Sequence, residues 1–191
     1  MTKNITAQST AIVQPCFNST MLDLETLGNI PGCAIISIGA VEFDLNTGAR
    51  GRKFYRSITF QSNLDAGLFV QGDTVEWWFR QTDEARKAVL KDAVHINDAL
   101  IDFAKWFDSE STIWGNGADF DIPILRVAYH KTNLQHPWKY NMGRDVRTWV
   151  AEAPWVRKNL QFKGTRHEPI ADCDHQIDAV VECRKEFKKS K

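Results

Sequence analysis

Long apolar runs, paired cysteines and a surplus of charge of one sign are all missing from this chain of 191 residues. No stretch approaches the roughly 18 apolar residues that would span a bilayer, and the start of the chain lacks the basic-then-apolar order of a signal peptide. The four cysteines include no C-x-x-C pair, and a chain of this length needs no disulfides to stabilise its core. We therefore expect a cytoplasmic protein with reduced thiols and no membrane partner.

The absence of net charge, with 24 basic and 24 acidic residues, removes the electrostatic footprint of a protein that coats duplex DNA. It does not exclude an enzyme that acts on nucleic acid, because an enzyme that binds just a few terminal nucleotides needs no large net charge. A local basic rim and bound metal ions would then meet the phosphates.

The hydrophobic content of 43% is enough for one buried core, and no internal repeat divides the chain. Residues 1–17 are polar and aperiodic, and we interpret them as a leader before a single domain at residues 18–191. That domain opens with a predicted antiparallel meander, whose strands are separated by turn-forming segments. The three strands end or lie at residues 21–25, 34–43 and 53–60.

The hydrophobic period then becomes helical. Ile96, Leu100, Phe103 and Phe107 recur at spacings of four, three and four, which places them on one face of a helix. A short strand and three more helices are predicted after it, at residues 112–114, 121–130, 145–153 and 172–187. This order predicts an α/β protein in which helices cover a mixed sheet.

Asp23 and Glu25 lie two positions apart on the first predicted strand, so both side chains leave the same face of the sheet. Two carboxylates on one face repel each other, and a divalent cation with oxygen ligands is the simplest compensation. The pair alone is weak evidence for a site, because D-x-E is common and is usually a solvated strand edge.

Two later segments carry further candidate acids. The segment WGNGADFD ends a strand, turns at its glycines and starts a helix with Asp119 or Asp121, either of which could also cap that helix. The segment HEPIAD places His167 in a loop, five residues before Asp172 in the first turn of the last helix. A lone loop histidine is usually exposed and idle, but this one precedes another acid of the same candidate set.

Together these segments resemble the DEDDh branch of the RNase H-like 3′→5′ exonucleases, which includes proofreading exonucleases, RNase T and oligoribonuclease. The D-x-E pair, the F-D motif at Asp121 and the H-x(4)-D motif from His167 to Asp172 occur in the family's order and span most of the chain. The segments TVEWW, EAR, WGNG and RDVRT are similar to phage and prophage exonucleases of the DexA and exonuclease VIII kind. A related branch contains exoribonucleases.

The motif alignment selects among neighbouring acids. The phenylalanine favours Asp121 over Asp119, and the step from His167 favours Asp172 over Asp174. The family usually has alanine two positions after the histidine, where this chain has a proline. Proline fixes φ and is tolerated before a helix, but here it could restrict how freely the histidine swings.

The resemblance implies an RNase H-like mixed sheet, an antiparallel meander followed by parallel strands. It implies a metal-dependent 3′→5′ exonuclease acting on single-stranded ends, with Asp23, Glu25, Asp121 and Asp172 holding two Mg²⁺ or Mn²⁺ ions. Oxygen ligands favour these ions over zinc. His167 is then the general base toward the attacking water, because an imidazole can accept a proton at neutral pH. Several relatives are homodimers, so a homodimer is a further expectation.

The substrate contacts are less defined. By resemblance, Thr26 and Leu27 contact the terminal nucleotide, with Leu27 packing on a base. Trp77 could stack on a base, although a pair such as Trp77 and Trp78 in a predicted helix is more often core. Asn116 could bind near the scissile bond or serve only its glycine turn. The candidate phosphate contacts are Arg144, Arg147, Lys163 and Arg166.

Several alternatives remain open. DNA is slightly favoured as the substrate, but no residue can be identified as reading a 2′-hydroxyl, so a 3′→5′ exoribonuclease is an alternative. A catalytically inactive nucleic-acid-binding module of the same fold is another, and an RNase H-like endonuclease is a third. A zinc site made of Cys173, His175 and Cys183 fits no common zinc spacing.

Overall fold

The computed structural model describes residues 14–189. The strands are β1 Ser19–Thr26, β2 Ile35–Phe43, β3 Arg50–Ser57, β4 Thr112–Gly115 and β5 Gly143–Asp145. The helices are α1 Phe60–Asp65, α2 Gly72–Phe79, α3 Asp83–Ala88, α4 Ile96–Trp106, α5 Asp121–Lys131, α6 Val146–Ala151, α7 Pro154–Asn159 and α8 Pro169–Lys189. Most of the predicted leader, residues 1–13, lies outside the described part, so the leader and the domain boundary at residue 18 stay predictions.

The five strands form one mixed sheet in the order β3-β2-β1-β4-β5. The first three strands pair antiparallel, which confirms the predicted meander, and β1, β4 and β5 pair parallel. β1 is therefore the central strand. It pairs with β4 only from Ser19 to Met21, and beyond that point the backbone of β1 has no strand partner on the β4 side.

Strand alternation sorts the side chains of β1 onto two faces. Leu22 and Leu24 point into one apolar core, which includes residues of α4 and α5. Met21 points into a second core on the opposite face, where α6 and α8 pack. Because Asp23 and Glu25 share the parity of Met21, they face α8 at the end of the second core.

The start of α8 lies directly against β2, and this contact depends on the absence of a side chain at Gly39. A Cβ at Gly39 would come within 2.3 Å of the Pro169 Cβ, so only glycine permits this approach. One turn later, the Cys173 thiol is fully buried and donates to the carbonyl oxygens of Met21 and Gly39, at 3.6 and 3.8 Å. The contact fixes the first turn of α8, and with it Asp172, beside β1.

The predicted strands and longer helices agree with the structure apart from their bounds. The short helices α1, α3 and α7 were not predicted, and Phe60, expected at the end of the third strand, begins α1 instead. The last helix was expected from residue 172 and begins at Pro169, because proline suits the first turn, where no N–H is required. The short strand β5 was not predicted, since its residues Gly143–Asp145 carry no alternating pattern. None of these differences moves the predicted acidic residues away from the sheet.

Candidate active site

Three carboxylates converge where β1 meets the first turn of α8. Asp23, Glu25 and Asp172 each offer one oxygen, and these oxygens lie within 4.8 Å of one another. The strand brings the first two together through its two-residue period, and the contact of α8 with Gly39 brings the third. They line a cavity of about 310 Å³.

Asp121 is the fourth acid, and it is almost fully buried at the start of α5. Its Oδ1 accepts a hydrogen bond from the N–H of Leu24 at 3.1 Å, and its Oδ2 accepts one from the N–H of Asn116 at 2.7 Å. The first of these bonds gives the Leu24 N–H of β1 a partner at a position where β4 no longer pairs with the strand. Asp121 does not cap α5, whose N-cap residue is Phe120 and has no side-chain cap.

Burial raises the pKa of each of the four acids. Burial raises the pKa of Glu25 to about 8, and the charges of Asp172 and Asp121 add to that effect. Burial, together with the charges of the other three acids, raises the pKa of Asp23 well above its ordinary value. Burial also raises the pKa of Asp121 to about 6 and raises that of Asp172. The cluster therefore holds protons near neutral pH unless a cation compensates its charge.

His167 lies at the mouth of the cluster, with its Nδ1 4.0 Å from Glu25 Oε1. Its backbone has a φ of 64°, a left-handed conformation that is uncommon for a residue other than glycine. Its N–H donates to Asp172 Oδ2 at 2.8 Å, which gives the five-residue spacing of the motif a structural reason. The ring of Trp77 contacts the imidazole edge-on, with centroids 4.8 Å apart.

The acids that competed in the motifs lie elsewhere. Asp119 is exposed. Asp174 forms ion pairs with Arg50 and Lys53 at 3.2 and 3.0 Å. The side chains of the alternative zinc site pack in different surroundings, since Cys183 is buried in the second core and His175 packs on Phe162. Among the described residues, the group suited to a metal ion consists of the β1 and α8 carboxylates.

The predicted substrate residues divide between the cavity and its surroundings. Thr26, Trp77 and Asn116 line the cavity. Leu27 is buried in a small apolar cluster behind it, with Trp78. The predicted nucleotide contact of Leu27 thus stays a prediction.

Both tryptophans of the pair line the cavity, but they differ in exposure. Trp78 is buried and donates its indole N–H to the Thr26 carbonyl at 2.9 Å, whereas Trp77 is 38% exposed. Arg144 is exposed and donates to backbone carbonyls near β5. Arg147 lies closer to the site, with its Nε 3.4 Å from Asn116 Oδ1.

Sequence reasoning missed Gln176, which lies on α8 one turn after Asp172 and lines the same cavity. Its Nε2 donates to Asp23 Oδ1 at 2.7 Å. The signal that could have found it is helical spacing, because residues four apart on a helix share a face.

The mixed sheet, with carboxylates at the end of its central strand and a histidine beside them, is the architecture of an RNase H-like exonuclease. Residues 18–184 match the family model described as the 3′-5′ exoribonuclease Rv2179c-like domain. The chain belongs to this family and is a 3′→5′ exonuclease. A curated relative, the exodeoxyribonuclease of Enterobacteria phage T4, is 27% identical over 195 residues, covering 82% of this chain and 85% of the phage protein.

Solved structures show the same fold at low sequence identity. The nuclease domain of 3′hExo, a DEDDh family member bound to rAMP, has a TM-score of 0.61 at 8% identity, over 91% of this chain and 95% of that one. E. coli exonuclease I, in complex with a dA16 oligonucleotide, has a TM-score of 0.62 at 16% identity, over 90% of this chain and 42% of that one. None of the helices between residues 14 and 189 has the length and apolar character of a membrane-spanning segment.

Proposed function

We propose that this exonuclease hydrolyses single-stranded nucleic acid from its 3′ end with two Mg²⁺ or Mn²⁺ ions held by Asp23, Glu25, Asp121 and Asp172. The observation that carries the proposal is the convergence of three carboxylate oxygens within 4.8 Å of one another at the head of a cavity. Membership of an exonuclease family and the retained cluster favour an enzyme over a catalytically inactive module of the same fold.

The donor set fits hard divalent cations. All of its candidate ligands are carboxylate oxygens, which suit Mg²⁺ and Mn²⁺, whereas zinc prefers sites with histidine or cysteine. Burial raises the pKa of both Asp23 and Glu25, and the charges of neighbouring acids add to the effect in each, so a bound cation would relieve the cost of ionising them. Asp121 already accepts two backbone hydrogen bonds, but each carboxylate oxygen has a second lone pair left for a ligand contact.

The residues around the cavity have different roles in the proposed reaction. When bound, divalent ions supply stabilisation of the negative charge that builds on the attacking and leaving oxygens of the phosphodiester. His167 takes the proton of the attacking water, and its position beside Glu25 keeps it at the edge of the carboxylate cluster. Thr26, Asn116 and Trp77 line the cavity and bind the terminal nucleotide, with base stacking on the exposed indole.

Two comparisons differ on whether the substrate is DNA or RNA. The phage T4 relative is named an exodeoxyribonuclease, and this likeness supports DNA as the slightly favoured substrate. The family model is named for exoribonuclease activity, which supports the second candidate, a 3′→5′ exoribonuclease. The predicted cytoplasmic location and homodimer stay predictions.

The test is digestion of 5′-labelled single-stranded DNA and RNA of equal sequence, with Mg²⁺, Mn²⁺ or a chelator. We expect a descending ladder that the chelator abolishes, with DNA degraded at least as fast as RNA. A 3′-phosphate should block the ladder, and a 5′ block should not. Degradation of RNA alone would establish the second candidate. Activity in chelator, or efficient cutting of circular single strands, would contradict the metal-dependent terminal mechanism.

A further inference from the structure

Gln176 has a buried side-chain amide whose nitrogen makes a hydrogen bond and whose oxygen makes none within the described residues. It is 6% exposed, and its Nε2 donates to Asp23 Oδ1 at 2.7 Å. Its Oε1 is buried and has no hydrogen-bond partner in the described part of the chain. The buried amide of Gln176 therefore makes a single hydrogen bond, and its partner is a proposed metal ligand.

The orientation of the amide follows from its partner. In the ionised state that ligates a metal, Asp23 Oδ1 only accepts, so the NH₂ end of the Gln176 amide faces it, as the 2.7 Å contact has it. Leaving Oε1 buried without a partner is destabilising relative to an apolar residue of the same shape. Packing alone would favour that apolar residue, so the contact with Asp23 is the reason for an amide here.

Gln176 also differs in kind from the other groups that hold the cluster. Asp121 accepts hydrogen bonds from two backbone N–H groups, and Asp172 accepts one from the backbone of His167. Among the described residues, Gln176 is the side-chain donor to these carboxylates. The backbone donors are fixed by the fold, whereas this one can be removed by a single substitution.

We propose that Gln176 is a positioning residue of the metal site, which holds the Asp23 carboxylate in its ligating orientation before the ions bind. The inference rests on the proposed function, because it assumes that Asp23 is a ligand. Groups that hydrogen-bond to metal ligands orient them, and their loss typically lowers metal affinity or activity by about 10–100-fold. Gln176 acts through Asp23 and does not touch the substrate.

The experiment compares Gln176→Met, which keeps the size and removes the donor, with Gln61→Met. Gln61 is the matched control, since its Nε2 also donates to an aspartate, Asp65, at 2.8 Å, but on the exposed surface of α1. Mn²⁺ binding is measured by calorimetry and by the metal-induced rise in Tm. For Gln176→Met we expect an affinity about 10-fold lower, a metal-free Tm at or above wild type, and a rate that excess Mn²⁺ largely restores. Gln61→Met should bind Mn²⁺ as the wild type does.

Gln176→Met with wild-type Mn²⁺ affinity would overturn the inference, and so would a loss that persists when Asp23 is already asparagine, because a residue that acts through Asp23 has no effect without it. Gln176→Asn retracts the amide by one methylene while keeping a polar side chain, and it tests the same loss if the methionine variant folds poorly. A wild-type protein that binds no Mn²⁺ would instead refute the proposed function.

Discussion

Asp23 is an electrostatically unfavourable charge in the cluster, since burial and three neighbouring acids all disfavour its ionised form. Asp23→Asn removes that charge with little change in shape. We expect activity to fall to background, Mn²⁺ affinity to drop, and the metal-free Tm to stay equal or rise, because the repulsion is relieved. Single-turnover assays, calorimetry and thermal melts measure the three effects.

Asp119→Asn is the control for that substitution, because Asp119 is exposed, lies two residues before Asp121 in the same motif and is not among the residues that line the cavity. It should match the wild type in rate and affinity. An Asp23→Asn enzyme that bound Mn²⁺ normally and cut at the wild-type rate would show that the β1 carboxylates are not ligands.

His167 handles the proton in the proposed reaction and lies outside the set of ligand oxygens. His167→Ala should lower the single-turnover rate by about 10²–10⁴-fold at saturating metal, the usual span for a lost general base. Its Mn²⁺ affinity should change far less than that of Asp23→Asn.

His130→Ala, at an exposed position of α5, is the control and should leave rate and affinity unchanged. A His167→Ala enzyme whose rate returns on addition of more Mg²⁺ would identify His167 as a ligand and leave the proton to another group.

At the scale of elements, the sequence predicted what depends on local periods. The two-residue period of β1 put Asp23 and Glu25 on one face, and the helical period found α4 and most of α8. The sequence could not predict contacts between distant elements, such as the hydrogen bond from Leu24 to Asp121 or that from Gln176 to Asp23. Those depend on how strands and helices pack, which no local pattern records.

The contact between α8 and β2 leads to a prediction about Gly39. Gly39→Ala places a methyl group into the Pro169 ring, so α8 has to move, and we expect a loss of about 1–3 kcal/mol in the free energy of unfolding. Because Asp172 moves with α8, Mn²⁺ affinity should fall as well. Denaturant melts and calorimetry measure the two losses.

Gly72→Ala is the matched substitution, since a Cβ at Gly72 meets nothing within 4 Å at the start of α2. It should leave Mn²⁺ affinity unchanged and raise stability by up to about 1 kcal/mol. Equal behaviour of the two variants would show that the α8 contact can adjust freely.

At the scale of the whole molecule, the raised pKa values link stability to pH. Between its ordinary value of 4.5 and about 8, Glu25 holds more protons in the folded state than in the unfolded state. The free energy of unfolding of the metal-free protein should therefore fall as pH rises through this interval. Mg²⁺ or Mn²⁺ should reverse the fall, because a cation favours the ionised cluster and its binding releases protons.

Thermal melts from pH 5 to 9 (roughly the interval of the linked titration) in chelator and in Mn²⁺ test this dependence. Glu25→Gln should flatten the metal-free curve, since the variant has no proton to lose at this position. A metal-free protein that gains stability as pH rises over the same interval would contradict the assignment of these acids to a protonated cluster.

The edge-on contact between Trp77 and His167 gives the enzyme an optical reporter of its own chemistry. Because the two rings are in contact, we expect a change in the position or charge of the imidazole to alter the emission of Trp77. The difference in emission between the wild type and Trp77→Phe isolates this one indole from the other six tryptophans. Stopped-flow fluorescence could then follow the histidine during turnover without any label on the protein or the substrate.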